Sequence, residues 1–140
     1  MSAANKAVAR RVLEALSEGD VDAAAQLLAP DYEWHGPGAE VHGPDGWRQL
    51  ASMYLQAFPD LSFTLEEQIA EGDKVVTRYT ARGTHRGELA GVAASGRHVA
   101  VPCLVIDTII DGKIVDSFEV FDQLGMFAAI GTYPALPESV

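Results

Sequence analysis

The sequence predicts an α+β fold in which a curved antiparallel sheet is covered on one face by N-terminal helices, enclosing a cone-shaped cavity. Three observations carry this. Helical periodicity is confined almost entirely to residues before Pro59, and strand alternation runs from Leu61 to Asp122. Asp111-Gly112 stands between two β-branched runs, the dipeptide best suited to a two-residue type I′ hairpin. No internal repeat is visible, and 140 residues suit a single domain, 1–140, with one core.

In chain order, Lys6 to Ser17 reads as a helix with Val8, Val12, Leu13 and Leu16 on one stripe. Gly19 stops it, and Asp20 caps a second helix over Val21 to Leu28, ended by Pro30. Asp31 to His35 alternates as a short strand, with Tyr32 and Trp34 on one side and Asp31, Glu33 and His35 on the other. The glycine- and proline-rich segment from Gly36 to Pro44 reads as a loop. From Pro44 or Asp45 a third helix carries Trp47, Leu50, Ala51, Tyr54, Leu55 and Phe58 on a wide apolar face. Leu61 to Ile69 and Lys74 to His85 alternate as two strands around Gly72-Asp73, the second with Val75, Thr77, Tyr79, Ala81 and Gly83 on one face. Arg86 to Arg97 reads as a mobile loop, a candidate lid. A closing helix over Gln123 to Ile130 and a loose tail around Pro134 and Pro137 complete the chain.

The hairpin around Asp111-Gly112 is the centre of interest. A two-residue loop makes every cross-strand pair sum to 223, which puts Val101, Cys103, Val105, Asp107, Ile109, Ile114, Asp116, Phe118, Val120 and Asp122 on one face. Both faces are largely apolar, so each needs a cover. The chain has no spare helices for the outer one, and the expectation is a homodimer, or a higher homo-oligomer, through the sheet.

Composition narrows the function. With 48% hydrophobic and 21% charged residues the chain is globular, and a net charge of −10 argues against nucleic acid or anionic membranes as partners. No apolar run reaches membrane-spanning length, and the first residues lack the apolar core of a signal peptide. The single cysteine, Cys103, reads as a buried thiol, and the expected location is cytoplasmic. His35, His42, His85 and His98 form no metal-binding spacing, so no metal is expected. No phosphate-binding glycine loop or nucleophile elbow occurs.

Gly83-Thr-His-Arg-Gly-Glu-Leu-Ala-Gly91, Ser95-Gly-Arg97, Asp111-Gly-Lys-Ile-Val115 and Phe118-Glu-Val-Phe-Asp-Gln-Leu-Gly125 stand in the order and spacing of the SnoaL-like polyketide cyclases. The chain resembles this family, part of the nuclear transport factor 2-like α+β cone superfamily, over nearly its whole length. The resemblance implies intramolecular aldol closure of an aromatic polyketide ring without metal or organic cofactor. It also implies an acid/base at the end of the last strand, which here is Asp122. Phe118 replaces the tryptophan often found four residues earlier, and Asp107-Thr108 stand where a His or Arg is common. Asp107 therefore admits a related hydroxylase, or an epoxide-opening enzyme using a carboxylate with an arginine; a non-catalytic small-ligand binder is the reading from another class.

The candidate catalytic residues are Asp122, His35 and Asp107. Asp122 combines an apolar face, which raises a carboxyl pKa, with the position of a helix N-cap. Asp107 falls opposite Asp116 in the 223 register, where repulsion calls for a cation such as Arg78 or Arg82. His35 sits where a strand meets a loop. Trp34, Trp47, Tyr54 and Phe118 are candidate substrate-binding residues, first as core and then as the wall for a planar aromatic ligand, and His85, flanking the glycine-rich loop, is a candidate to face the substrate.

Overall fold

The Asp111-Gly112 turn forms with positive φ at both residues (51° and 77°), and Ile110 pairs with Lys113 across it. Around this hairpin the computed structural model, which describes residues 2–132, builds a six-stranded sheet and four helices. The elements are α1 (Ser2–Ser17), α2 (Val21–Ala25), β1 (Leu28–Gly36), β2 (Ala39–His42), α3 (Gly43–Ala57), β3 (Ser62–Glu71), β4 (Lys74–Thr84), β5 (His98–Ile110), β6 (Lys113–Phe121) and α4 (Gln123–Ala129). The sheet is curved, with strand order β2-β1-β6-β5-β4-β3. The tail expected around Pro134 and Pro137 lies outside the described residues. None of the described helices is long and apolar enough to cross a membrane.

The apolar stripes do what their spacing requires. Ala9, Leu13 and Ala15 of α1 and Trp47 and Ala57 of α3 are buried against the inner face of the sheet, where Val75, Tyr79, Val101, Val105, Ile109 and Ile114 meet them. Alternation on β4 and β5 is as read: Val99, Val101, Cys103, Val105, Asp107 and Ile109 all point inward.

Four features depart from the sequence reading. First, α2 ends at Ala25, so Pro30 belongs to β1 rather than ending a helix; Asp20 caps α2 as expected, accepting from Ala23 N at 3.0 Å. Second, the segment after Gly36 is a hairpin, with Ala39–His42 pairing antiparallel to β1. Third, β1 lies parallel to β6, so the sheet is mixed at that junction. Fourth, the register of β5 and β6 slips. Ile109 pairs with Ile114, but Thr108 pairs with Asp116, leaving Val115 as an extra residue in β6. Beyond this bulge the pairs sum to 224, so β6 presents Ser117, Glu119 and Phe121 inward and Asp116, Phe118 and Val120 outward.

The Arg86–Arg97 segment is tied down. Gly87 N and Arg86 N donate to Ala57 O at 3.1 and 3.0 Å, Gly96 N donates to His85 O at 2.8 Å, and Leu89 is buried in the core.

Candidate active site

A cavity of about 160 Å³ lies between the inner face of the sheet and helices α1 and α3. Its wall is mostly apolar, with Trp34, Trp47, Tyr54, Phe58 and Phe121 among the aromatic residues. Two carboxyl groups face it, Asp107 from β5 and Glu119 from β6. No Lys, Arg or His lines it among the described residues.

Glu119 is half-buried and lines the cavity. Trp34 Nε1 donates to its Oε1 at 3.0 Å, and the Tyr79 hydroxyl donates to its Oε2. Burial raises the Glu119 pKa, and these two donors oppose the rise by stabilising the anion. Tyr79, in turn, is held far above its usual range by burial and by the nearby Glu119 charge, so it stays a donor. Trp34 is seated by the absence of a side chain at Gly36, where a Cβ would lie 2.0 Å from the indole Cη2. A buried indole N–H and a buried phenol both need an acceptor, and Glu119 serves both.

Among the described residues Asp107 has a single side-chain donor. Ser117 Oγ donates to its Oδ1 at 2.5 Å, across the β5–β6 pairing that the bulge creates. Burial pushes the Asp107 carboxyl up to about 7, helped by the Glu119 and Asp116 charges and opposed by Ser117. Burial likewise raises Tyr32, next to Ser117, and pushes the Cys103 thiol up to about 12. Cys103 is the buried thiol expected, donating to Val101 O at 3.4 Å. The cavity thus holds two carboxyls in unequal surroundings, one cradled by two donors and one near its midpoint at neutral pH. This is the asymmetry that separates a base from an acid.

The sequence-predicted residues divide sharply. Asp107, Trp34, Trp47 and Tyr54 all reach the cavity; Tyr54 packs edge-on to Phe121 at 6.4 Å between centroids. Asp122 does not line it. Its side chain is exposed and caps α4, accepting from Gly125 N at 2.9 Å, the cap role its position also allowed. Phe118 is turned to the outer face by the bulge and is 55% exposed. His35 projects from the face of β1 opposite Trp34, where its ring meets Glu40 (3.1 Å) and Asp116 (2.9 Å); hydrogen bonds to these carboxylates raise its pKa. His85 is fully buried beneath Phe58 and outside the cavity wall, with Nδ1 accepting from Ser95 N at 3.1 Å. The arginines expected beside Asp107 lie on the outer face, Arg78 with Glu67 at 2.8 Å and Arg82 donating to Thr64 Oγ1 at 2.7 Å.

Glu119 is the residue that sequence reasoning missed. The 223 register assigned it to the outer face, and only the Val115 bulge turns it inward. The unmet donors of Trp34 and Tyr79 were the signal that an acceptor had to face them.

The comparisons with known proteins agree with this architecture. The sequence profile of the SnoaL-like polyketide cyclases matches residues 6–130. The aklanonic acid methyl ester cyclase DnrD of Streptomyces peucetius is 30% identical over 135 residues, covering 92% of each chain. Among solved structures, AclR of Streptomyces galilaeus, described as a candidate hydroxylase, superposes with a TM-score of 0.87 at 28% identity, over 99% of this chain and 88% of its own. IdmH of Streptomyces antibioticus, described as a candidate polyketide cyclase, gives 0.80 at 30% identity, over 91% and 99%. The chain belongs to the SnoaL-like polyketide cyclase family.

Proposed function

We propose that this enzyme closes a ring in an aromatic polyketide by intramolecular aldol condensation, with Glu119 as the base and Asp107 as the acid. The observation that carries the proposal is the Glu119 carboxylate, facing an apolar cavity and anchored by Trp34 and Tyr79. Glu119 takes a proton from the carbon beside a ketone, and the resulting enolate carbon attacks a second carbonyl of the same molecule. The alkoxide so formed takes the Asp107 proton, and the two carboxyls exchange their roles of donor and acceptor for reset through solvent. One C–C bond forms, no electron acceptor is needed, and product and substrate have equal mass. The dry wall protects the enolate from premature protonation. Trp34, Trp47 and Tyr54 supply flat surfaces for the fused rings. The relatives named as aklanonic acid methyl ester cyclases direct the choice of substrate to that class of tricyclic anthraquinone ester.

The test is Glu119→Gln assayed on such an ester, with products read by mass spectrometry. Glutamine keeps the volume, its oxygen still accepts from Trp34, and its amide can donate to the Tyr79 oxygen. General acid–base catalysis is worth about 10²–10⁴-fold, and kcat falls by that factor with little change in KM. Activity within threefold of wild type refutes Glu119 as the base. The resemblance to AclR supports a second reading, hydroxylation, which predicts a product heavier by one oxygen atom instead.

The same proposal includes a homodimer packed through the outer sheet face, supported by exposed Phe118, Val120, Ile110 and Leu104. It also includes residence in the cytoplasm, supported by the single, unpaired Cys103.

A further inference from the structure

On the face of β1 turned away from the cavity, Glu33 and His35 flank Trp34. Antiparallel pairing sets Glu33 opposite His42 and His35 opposite Glu40 on β2; parallel pairing sets Glu33 beside Asp116 of β6. Three strands therefore bring five ionisable side chains together. Donor atoms of Glu33, His35 and Asp116 all lie within 4.8 Å of one another. His35 Nε2 is 2.9 Å from Asp116 Oδ1 and 3.7 Å from Glu33 Oε2. Its Nδ1 is 3.1 Å from Glu40 Oε1, and His42 Nδ1 is 3.4 Å from Glu33 Oε1.

The charges do not balance. Three carboxylates meet two imidazoles, and among the described residues no Lys or Arg pairs with any of the three. The cations nearest in the chain are engaged elsewhere: Lys113 donates to Gln26 O at 2.5 Å, and Arg48 pairs with Asp22 and Asp45. Glu33 and Asp116 occupy directly paired strand positions, where like charges repel. Even with both rings protonated the cluster keeps a net negative charge. A doubly charged ion offsets it.

We infer that Glu33, His35 and Asp116 form a binding site for a first-row divalent metal ion, with zinc as the natural occupant. One imidazole nitrogen and two carboxylates make a mixed nitrogen–oxygen donor set suited to zinc or cobalt rather than to calcium or magnesium. Glu40 accepts the Nδ1 proton of His35, which leaves the Nε2 lone pair aimed at the ion. This is the carboxylate–histidine–metal arrangement by which an outer carboxylate fixes the tautomer and orients the ring. Binding replaces the proton on Nε2, which passes to solvent. The fourth position is left to water or to His42.

Such an ion would clamp β1 to β6 at the parallel junction. Trp34, which donates to Glu119, and Ser117, which donates to Asp107, are themselves partners in that pairing and neighbour the ligands on the opposite face. The site is thus a structural fastener behind the cavity, with no ligand in common with it.

Tag-free full-length protein, stripped with a chelator, is titrated with zinc chloride by calorimetry and with cobalt(II) by visible absorption. The expected result is one ion per chain, cobalt bands of low coordination number, and a zinc-dependent rise in Tm. His35→Ala and Asp116→Asn each lose binding at least tenfold together with the Tm response, and His98→Ala, an imidazole removed elsewhere, retains both. Glu40→Ala weakens zinc by about 10–100-fold, the usual cost of losing an outer partner. Absence of zinc heat and cobalt bands in the wild type overturns the inference, as does unchanged affinity in the His35 and Asp116 variants. The cobalt spectrum of the wild type decides the matter even where a variant fails to fold.

Discussion

Asp107→Asn isolates the cost of burying a carboxyl in the cavity wall. In water this group ionises near 3.8, and in the folded protein burial moves it to about 7. Between those values the folded chain holds a proton that the unfolded chain has released. The contribution of Asp107 to stability is therefore greatest below pH 3.8, declines as pH rises, and has been lost once pH passes the folded value. At 1.36 kcal/mol for each pH unit separating the two values, the full loss is about 4 kcal/mol. Asparagine stays neutral throughout, fills the same space and accepts from Ser117, so its contribution is flat. Denaturant unfolding of both proteins at pH 4 and pH 8 measures this, because titrating groups that do not interact with Asp107 cancel in the difference. The variant gains on the wild type by about 4 kcal/mol between the two conditions. Parallel pH profiles would mean that the carboxyl ionises normally and the cavity is wet, which would remove the basis for treating Asp107 as an acid. Turnover provides a second reading. The wild-type rate falls as pH rises through about 7, where the donor form disappears, and Asp107→Asn lacks that limb.

Two further predictions test the placement of the remaining residues. Asp122→Ala removes the cap on α4 and costs about 1 kcal/mol, or about 2–4 °C in Tm, with turnover within twofold of wild type; a hundredfold loss of turnover would return Asp122 to the chemistry. Phe118→Asp puts a charge at the centre of the outer apolar face, and analytical ultracentrifugation at equal concentration shows a dimeric wild type and a monomeric variant. A monomeric wild type would end the dimer proposal.

Most of the scaffold was legible because its signals are local. The stripe from Trp47 to Phe58, the alternation of Val75, Thr77 and Tyr79, and the positive-φ turn at Asp111-Gly112 each declare themselves within a few residues. What could not be read depends on partners distant in the chain. The parallel pairing of β1 with β6, the short β2 hairpin and the burial of Leu89 under a small-residue loop are decided by tertiary packing. Asp122 was ambiguous for a physical reason, since an aspartate ending a strand before a helix serves equally well as a cap. The error over Glu119 arose from carrying the two-residue-turn register, with pairs summing to 223, unbroken to the end of β6. That register breaks at Val115, where the extra residue turns Glu119 inward as the acceptor for Trp34 and Tyr79.

The extra residue at Val115 sets the phase of everything that follows it in β6. Were that one residue deleted, Phe118 and Val120 would turn toward the cavity while Glu119 and Ser117 turned toward solvent, leaving Asp107, Trp34 and Tyr79 without their partners. Neither cavity carboxyl would have been replaced, yet the cavity would be a greasy receptacle with one isolated acid. Catalytic and merely ligand-holding versions of this cone can therefore stand a single codon apart. A substitution-by-substitution comparison of the two would register Glu119 as unchanged.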